Sequence, residues 1–361
     1  MSLRAGDWVR VRSKPDILAT LDERGCLDGL PFMPEMLQFC GMRFQVWTRA
    51  HKTCDTVSST GGRRMPSAVH LKELRCDGRG HGGCDSACLL FWKEAWLERV
   101  PGPGSDQGPQ PDIPKSGQLR SKHQCTEQLL LDAAVEHGEE GQPSRYRCQA
   151  TELPAATRPL KWWDIRQYVE DFNSGNVPVR RLASGAVYAA FHALVSRAER
   201  RSTRLPRLLI RLYDGVQRML HGTPYPRRRG TIAPGQPTPA AELGLQPGEL
   251  VRVRPYDQIL DTLDRRNLNR GMYFDAEEVP FCGKTFRVRS RVEKIIDERT
   301  GRMITLKGKN VILEGVWCQG RYSDRRMHCP RAIFPIWREI WLERPDETAA
   351  RKHDSPPGGR A

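Results

Sequence analysis

Several sequence features that usually identify an enzyme or a membrane protein are missing from this chain. It contains no phosphate-binding G-x-x-x-x-G-K-[ST] loop, no H-E-x-x-H helix and no G-x-S-x-G nucleophile turn. Its longest apolar stretch, Leu182–Val195, is too short to cross a bilayer and is interrupted by Ser184, Gly185 and His192. These absences argue against nucleotide hydrolysis, zinc-dependent proteolysis, serine hydrolysis and a membrane-spanning helix. They favour a protein without catalytic activity.

A secretory signal is also missing, because Met1–Ala5 leads directly into the first predicted strand. We therefore expect a cytoplasmic protein. In a reducing compartment, the 11 cysteines are better interpreted as metal ligands or buried thiols than as disulfides.

Positive charge is in clear excess. The 361 residues include 58 lysines and arginines against 43 acidic residues, which gives a formal net charge of +15. This length predicts two or three domains, each able to bury its own core. The charge indicates an anionic partner, which could be nucleic acid or an acidic protein. Peripheral contact with an anionic membrane surface is a further possibility.

The chain contains two copies of one sequence unit. The copies share an opening, a central Phe-Cys-Gly and a closing phrase with two tryptophans. These shared stretches are Gly6–Arg12 with Gly248–Arg254, Phe39–Gly41 with Phe281–Gly283, and Trp92–Arg99 with Trp337–Arg344. Each copy spans roughly 95 residues, the size of one small domain. Because the closing tryptophans recur at the same strand position, we expect them in the core.

Each copy alternates apolar and polar residues in several short stretches, which predicts short strands around a hairpin. The opening Gly-Asp-x-Val-Arg-Val resembles that of SH3-like and KOW-like small barrels. The whole chain also resembles a family of bacterial proteins of unestablished activity, built from this repeat pair around a middle segment. The resemblance implies an architecture and no activity. The predicted fold class is α+β: two SH3-like small β-barrel repeats flanking a mainly α-helical basic segment.

Composition divides the chain into six predicted segments. They are 1–100, the first SH3-like repeat with a Cys-rich metal loop; 101–160, a linker with a short helix; 161–222, the basic helical segment; 223–244, a Pro/Arg-rich linker; 245–346, the second SH3-like repeat; and 347–361, a disordered tail. Within the helical segment we expect helices near Trp162–Phe172, Val179–Arg201 and Pro206–Leu220.

Four cysteines of the first repeat are spaced for a metal site. Cys76, Cys84 and Cys88 lie in a glycine-rich loop, and Cys54 precedes them by about one hairpin. Four thiolates would give Zn²⁺ the closed tetrahedral coordination of a structural site. Two alternatives remain open: independently buried thiols, and an iron–sulfur centre, although no ferredoxin spacing is present. His81, in the same loop, is interpreted as a solvated histidine in preference to a ligand.

A second metal site is a weaker possibility in the second repeat. Cys318 and Cys329 would supply two thiolates and His328 a third donor, although a decayed or open site is the favoured interpretation. Cys125 and Cys148 flank the short helix of the linker and have no assigned role.

The positive charge is concentrated in residues 178–230. This stretch holds 12 arginines and no lysine, opposed only by Glu199 and Asp214. Seven of these arginines are the candidate polyanion-binding residues: Arg204, Arg207, Arg211, Arg218, Arg227, Arg228 and Arg229. Their guanidinium forks match phosphates, and the leucines beside them also suit an anionic membrane interface. A packed helix with a solvated arginine face is the plain alternative. Trp162 and Trp163 could stack on bases but are better interpreted as core or inter-domain anchors.

Together these features predict a non-catalytic, zinc-stabilised tandem SH3-like protein that binds a polyanion, most plausibly nucleic acid. Two other interpretations stay open. The chain could be a scaffold or accessory protein that binds a protein or peptide partner, in a biosynthetic pathway for example. It could also be a metal- or thiol-dependent enzyme.

Overall fold

The computed structural model describes residues 2–58, 61–103, 125–138, 143–201, 204–323 and 325–345. The fold is mixed α+β, with 25% of the chain in helices and 24% in strands, which confirms the predicted class at that level. The predicted tail 347–361 and residues 104–124 of the predicted linker lie outside the described residues. Among the described helices, none has the length and apolarity needed to cross a membrane.

The helices of the described residues are short, apart from two in the middle of the chain. The α-helices are α1 (Lys14–Leu18), α2 (Glu127–Asp132), α3 (Leu153–Ala156), α4 (Arg166–Asn173), α5 (Val179–Arg200), α6 (Leu205–Met219) and α7 (Tyr256–Leu260). The 3₁₀ helices cover Pro34–Phe39, Glu94–Trp96, Val279–Phe281 and Glu339–Trp341.

The strands are also short and mostly antiparallel. They are β1 (Trp8–Val11), β2 (Cys26–Leu27), β3 (Leu30–Pro31), β4 (Arg43–Arg49), β5 (Lys52–Cys54), β6 (Gly62–Arg64), β7 (Ala68–Arg75), β8 (Leu89–Lys93), β9 (Leu97–Arg99), β10 (Val135–Glu136), β11 (Arg145–Tyr146), β12 (Arg158–Leu160), β13 (Leu250–Val253), β14 (Leu268–Asn269), β15 (Met272–Tyr273), β16 (Thr285–Arg291), β17 (Lys294–Ile296), β18 (Met303–Thr305), β19 (Asn310–Leu313), β20 (Trp337–Arg338) and β21 (Leu342–Glu343).

The chain divides into two compact units whose segments interleave along the sequence. Unit 1 comprises Met1–Leu182, Lys294–Thr305 and Arg325–Ala332. Unit 2 comprises Ala183–Glu293, Leu306–Asp324 and Ile333–Ala361. Unit 1 therefore includes the β17–β18 hairpin and a loop that the sequence places in the second repeat. The predicted segment boundaries stay predictions.

The two sequence copies form two sheets of the same design. The sheet of unit 1 has the order β8-β7-β4-β1-β9, and that of unit 2 has the order β20-β19-β16-β13-β21. The register is also repeated, since Trp8 lies opposite Gln45 and Leu250 lies opposite Arg287. Strand β4 shifts register against β7 after Val46, and β16 shifts register against β19 at the equivalent point, after Val288. The repeated sequence thus produces a repeated sheet with the same shift in register.

Each unit packs its closing tryptophans in its own core, as the sequence predicts. In unit 1, Phe32 packs edge-on against Trp96, with ring centroids 5.1 Å apart. In unit 2, Phe274 packs against Trp341 in the same way at 5.2 Å. Both indoles are fully buried, so their N–H groups need acceptors. Trp96 Nε1 donates to Thr20 Oγ1 over 3.1 Å, and Trp341 Nε1 donates to the Thr262 hydroxyl over 3.0 Å.

The tryptophan pair of the middle segment contradicts its prediction. Trp162 and Trp163 are 49% and 60% exposed, so neither lies in the core. Their rings meet edge-on with centroids 5.8 Å apart. The helix that follows them, α4, begins only at Arg166, and the pair occupies the turn before it. The core interpretation of these residues is therefore wrong, while an inter-domain contact and base stacking stay predictions.

Candidate metal centre and basic surface

A buried group of three potential ligands lies in unit 1. Glu35 comes from the 3₁₀ helix Pro34–Phe39, Cys76 directly follows β7, and His81 lies five residues further along the loop. Cys76 Sγ is 3.1 Å from Glu35 Oε1 and 3.4 Å from His81 Nε2. His81 Nδ1 is 3.6 Å from Glu35 Oε1. Among the described residues, this is the one group of three or more such side chains whose ligand atoms lie within 4.8 Å of each other.

The glycines of the loop let the backbone fold tightly around this group. The Cys76 N–H donates to the Cys88 carbonyl over 2.8 Å, which fixes both ends of the loop. Inside it, the His81 N–H donates to the Gly78 carbonyl over 3.1 Å. Gly78 has a φ of +73°, in the left-handed region that favours glycine. A Cβ on Gly78 would also collide with the Cys84 backbone, including its nitrogen at 2.6 Å.

Without a metal, burial favours the uncharged forms of His81 and Cys76. Burial lowers the pKa of His81, so its imidazole is neutral and keeps a lone pair for a metal. Burial, followed by the nearby Glu35 carboxylate, raises the pKa of the Cys76 thiol far above its usual range. Within the described part of the chain, His81 Nδ1 and Glu35 Oε2 are buried without a hydrogen-bond partner. A metal ion would satisfy these atoms and stabilise the thiolate.

A cavity beside the group brings further sulfur atoms close. Cys76, Cys84, Cys88 and Cys148 all line it, together with His81. Three of the four cysteines that the sequence proposes as ligands therefore line one cavity, although only Cys76 belongs to the three-residue group. Cys84 Sγ donates to Ser86 Oγ over 3.3 Å. Burial raises the pKa of Cys88 to about 12 and that of Cys148 to about 11.

Cys54 lies elsewhere in unit 1. It ends β5, and its N–H donates to the Sγ of Cys329 over 3.0 Å. Within the described residues, the structure does not bring the four predicted sulfurs into one ligand group. The predicted second set is divided between the units, with His328 and Cys329 in unit 1 and Cys318 in unit 2. A metal at that set stays a prediction.

The sequence alone does not identify Glu35 or His81 as a metal ligand. Glu35 and Glu277 occupy equivalent positions, which suggests that both serve the fold. In the structure Glu35 contacts Cys76, whereas Glu277 accepts hydrogen bonds from the Tyr322 N–H and the Ser323 hydroxyl. His81 is only 2% exposed, so its interpretation as a solvated loop histidine is wrong. Its position among the glycines between Cys76 and Cys84 is the signal that could have identified it.

The predicted basic residues separate into two groups in unit 2. The first, called here the arginine row, is exposed on or next to α6 and consists of Arg204, Arg207, Arg211 and Arg218. Arg229 is exposed as well. In contrast, Arg227 donates to the Tyr322 carbonyl, and Arg228 pairs with Asp257 and lies 5.5 Å from the centre of the Tyr256 ring. Arg227 and Arg228 therefore make contacts within unit 2.

Helix α6 also exposes apolar side chains. Leu209, Ile210 and Tyr213 pack against the cluster around Tyr225, which places one face of the helix in the core. The neighbouring face forms an exposed stripe of Leu205, Leu208, Leu212, Val216 and Met219. Its central residues Leu208 and Leu212 are 65% and 66% exposed. A solvated helix face rarely carries five such residues in register, so this stripe is a candidate contact surface.

Comparison with protein-family profiles, curated proteins and solved structures finds no match to the chain.

Proposed function

We propose that this chain is a non-catalytic, zinc-stabilised binding protein that engages a polyanion, with nucleic acid as the favoured ligand. In this proposal each repeat is an SH3-like barrel, and the glycine-rich loop is fastened to the first barrel by the metal. The exposed arginine row supplies the binding surface. The arginine row is the observation that supports the proposal, because its four residues are exposed, three of them on α6 and Arg204 directly before it.

Zinc is the metal that the donor set favours. One sulfur, one imidazole nitrogen and one carboxylate oxygen are all common zinc ligands. Calcium and magnesium prefer oxygen donors throughout, so a buried thiol and imidazole argue against them. Cys84 and Cys88 line the adjoining cavity and are the candidates for the fourth position. Because the loop has few apolar residues of its own, metal binding would supply part of its folding free energy.

Elemental analysis tests the metal. The purified protein is expected to carry about one zinc per chain, as for a closed structural site. His81→Ala and Cys76→Ser are each expected to lose it, and chelation of the wild type is expected to lower its thermal midpoint.

Cys40→Ser is the matched control, because Cys40 is a half-buried cysteine of the same unit outside the group. It should retain the metal. Zinc that remains stoichiometric in both ligand variants would place the metal at other residues.

The arginine row has the dimensions of a phosphate-binding surface. Arg204 and Arg218 are separated along the helix axis by roughly 21 Å, at 1.5 Å per residue. Arginine binds phosphate through two parallel hydrogen bonds, and each phosphate that is neutralised releases counterions. Binding through this row should therefore weaken steeply as the salt concentration rises.

An anionic bilayer is the second candidate ligand, and the exposed apolar stripe of α6 is the observation that favours it. A helix with an apolar face beside a basic face binds at the boundary between lipid headgroups and acyl chains. Nucleic acid would use the arginines and leave the leucines without a partner. Nucleic acid therefore requires only the arginines of α6, whereas an anionic bilayer requires both the arginines and the apolar stripe.

Two double variants separate these ligands. Arg207→Gln with Arg211→Gln removes charge, and Leu208→Gln with Leu212→Gln removes apolar area but no charge. For duplex DNA, the arginine variant is expected to reduce the slope of log K against log salt by roughly 1.8, while the leucine variant binds normally. For phosphatidylglycerol vesicles, both variants are expected to bind more weakly.

The matched control removes two exposed charges elsewhere, through Arg43→Gln with Arg265→Gln. If this control weakens DNA binding as much as the helix variant, the attraction is general and the arginine row is not the site. If only vesicles bind, and both helix variants lose that binding, the bilayer replaces nucleic acid as the ligand.

A further inference from the structure

Two cysteines outside the proposed metal group contact each other in unit 1. Cys54 ends β5, and Cys329 lies in the segment Arg325–Ala332. The 3.0 Å contact between the Cys54 N–H and Cys329 Sγ brings together residues 275 positions apart. Neither sulfur belongs to the group of Glu35, Cys76 and His81.

A buried arginine supports this cysteine pair. Arg331 Nη1 lies 4.0 Å from Cys54 Sγ and donates to Thr56 Oγ1 over 2.9 Å. Its Nη2 donates to Glu298 Oε1 over 2.7 Å, and the side chain is 3% exposed. The guanidinium is thus held in place by two partners, with its positive charge directed toward the sulfur.

The contacts favour a thiolate at Cys54. Arg331 Nη1, 4.0 Å from Cys54 Sγ, places a positive charge beside this sulfur, and a nearby cation stabilises a thiolate. Thiolates are the nucleophiles of thiol–disulfide exchange.

We propose that Cys54 and Cys329 form a redox-active dithiol, which a small-molecule disulfide such as oxidised glutathione converts to an intramolecular disulfide. This inference goes beyond the binding function, since it assigns a covalent modification to residues with no role in that function.

Exposure assigns a role to each sulfur. Cys54 is only 7% exposed, whereas Cys329 is partly exposed and therefore receives the small disulfide first. The Cys329 thiol passes its proton to Cys54 as its sulfur attacks the disulfide bond. A mixed disulfide forms on Cys329, and the first small thiolate leaves and takes the proton from Cys54. Arg331 is a positioning residue, because it acts by stabilising the Cys54 thiolate.

The second exchange closes the disulfide. The Cys54 thiolate attacks Cys329 Sγ, the bond to the small molecule breaks, and the second small thiolate leaves and takes a proton from water. Overall, two electrons pass from the two protein sulfurs to the small disulfide, which is reduced to two thiols.

Oxidation of the reduced, full-length protein by oxidised glutathione tests the proposal, with zinc present throughout. The number of free thiols is expected to fall by two from the 11 of the sequence. Peptide mapping should then show the Cys54 peptide linked to the Cys329 peptide, with no lasting glutathione adduct. In Cys54→Ser, the reaction should stop at a glutathione adduct on Cys329.

Cys40→Ser is the control and should form the same link as the wild type. The peptide map of the wild type decides the matter even if a variant fails to fold. A lasting glutathione adduct on Cys329 of the wild type, or a link through Cys84 or Cys88, would overturn the proposal. So would protection of both thiols by bound zinc, because the pair would then be a metal site.

Discussion

Replacing Asp171 with alanine is expected to destabilise unit 1 by about 3–5 kcal/mol, because it leaves a buried lysine without its counter-ion. Asp171, on α4, is completely buried. Its Oδ2 accepts from Lys52 Nζ over 2.6 Å, and its Oδ1 lies 3.2 Å from His51 Nε2. Lys52 also donates to the Met327 carbonyl, so one ammonium group connects three segments of the unit.

The pH dependence of this variant has a definite sign. Burial lowers the pKa of Lys52, and Asp171 opposes that shift. Without the carboxylate, the folded state holds the lysine proton still less tightly, whereas the unfolded chain holds it as usual. The deficit relative to the wild type should therefore be largest at neutral pH and narrow as pH rises toward the ordinary pKa of lysine.

Urea denaturation followed by circular dichroism measures this effect. Lys14→Ala is the control, because it breaks an exposed 2.8 Å pair with Glu127 and should change the unfolding free energy only slightly. The double variant Lys52→Met with Asp171→Leu replaces the buried pair with apolar side chains and should recover most of the loss. A single Asp171→Ala variant as stable as the control would contradict burial of this pair.

Gly78→Ala is expected to cost about 2–6 kcal/mol, from two additive causes. The left-handed φ of +73° strains any residue with a Cβ, by about 1–3 kcal/mol. The new methyl group also collides with backbone atoms of Cys84, which cannot rotate aside as a side chain could. Overpacking of this kind costs about 1–3 kcal/mol more. Because Gly78 positions His81 and Cys84, the variant should also bind less metal.

Gly41→Ala separates the two causes. Gly41 has a similar φ of +79°, but a Cβ there would meet nothing within 4 Å. It should therefore show the backbone cost alone and keep its metal. The measurement is the unfolding free energy of both variants in urea, with zinc content determined in parallel. Equal losses in the two variants would mean that the loop can move away from the added methyl group.

Local sequence patterns predicted those parts of the fold that depend on local chemistry. The glycine turn at Gly6 and the alternation in Trp8–Val11 recur in the second copy, and both copies form the same strand in the same register. The closing tryptophans are core residues in both units. Such features can be predicted because turn formation and side-chain alternation are set by neighbouring residues.

The candidate site depends on contacts that spacing does not encode. Glu35 meets Cys76 because a 3₁₀ helix and the end of β7 converge in space, and nothing in the 41-residue separation indicates this. Cys54 was grouped with the cysteines of its own repeat, yet its sulfur partner comes from the other copy. On α6, tertiary packing partly buries Leu209 and leaves Leu208 and Leu212 exposed, although all three are apolar. Each of these contacts and exposures is determined by long-range packing.

The interleaving of unit 1 has a consequence for its synthesis. Ile296 contributes to the core of this unit, and Arg331 supports Cys54, but both lie far beyond Leu182 in the chain. A ribosome needs on the order of ten seconds to add the intervening residues, at about 5–20 residues per second. During that interval the core of unit 1 is incomplete, and Cys329, which contacts Cys54 in the folded protein, has not yet been synthesised. Completion of unit 1 therefore requires synthesis of the chain as far as the segment Arg325–Ala332.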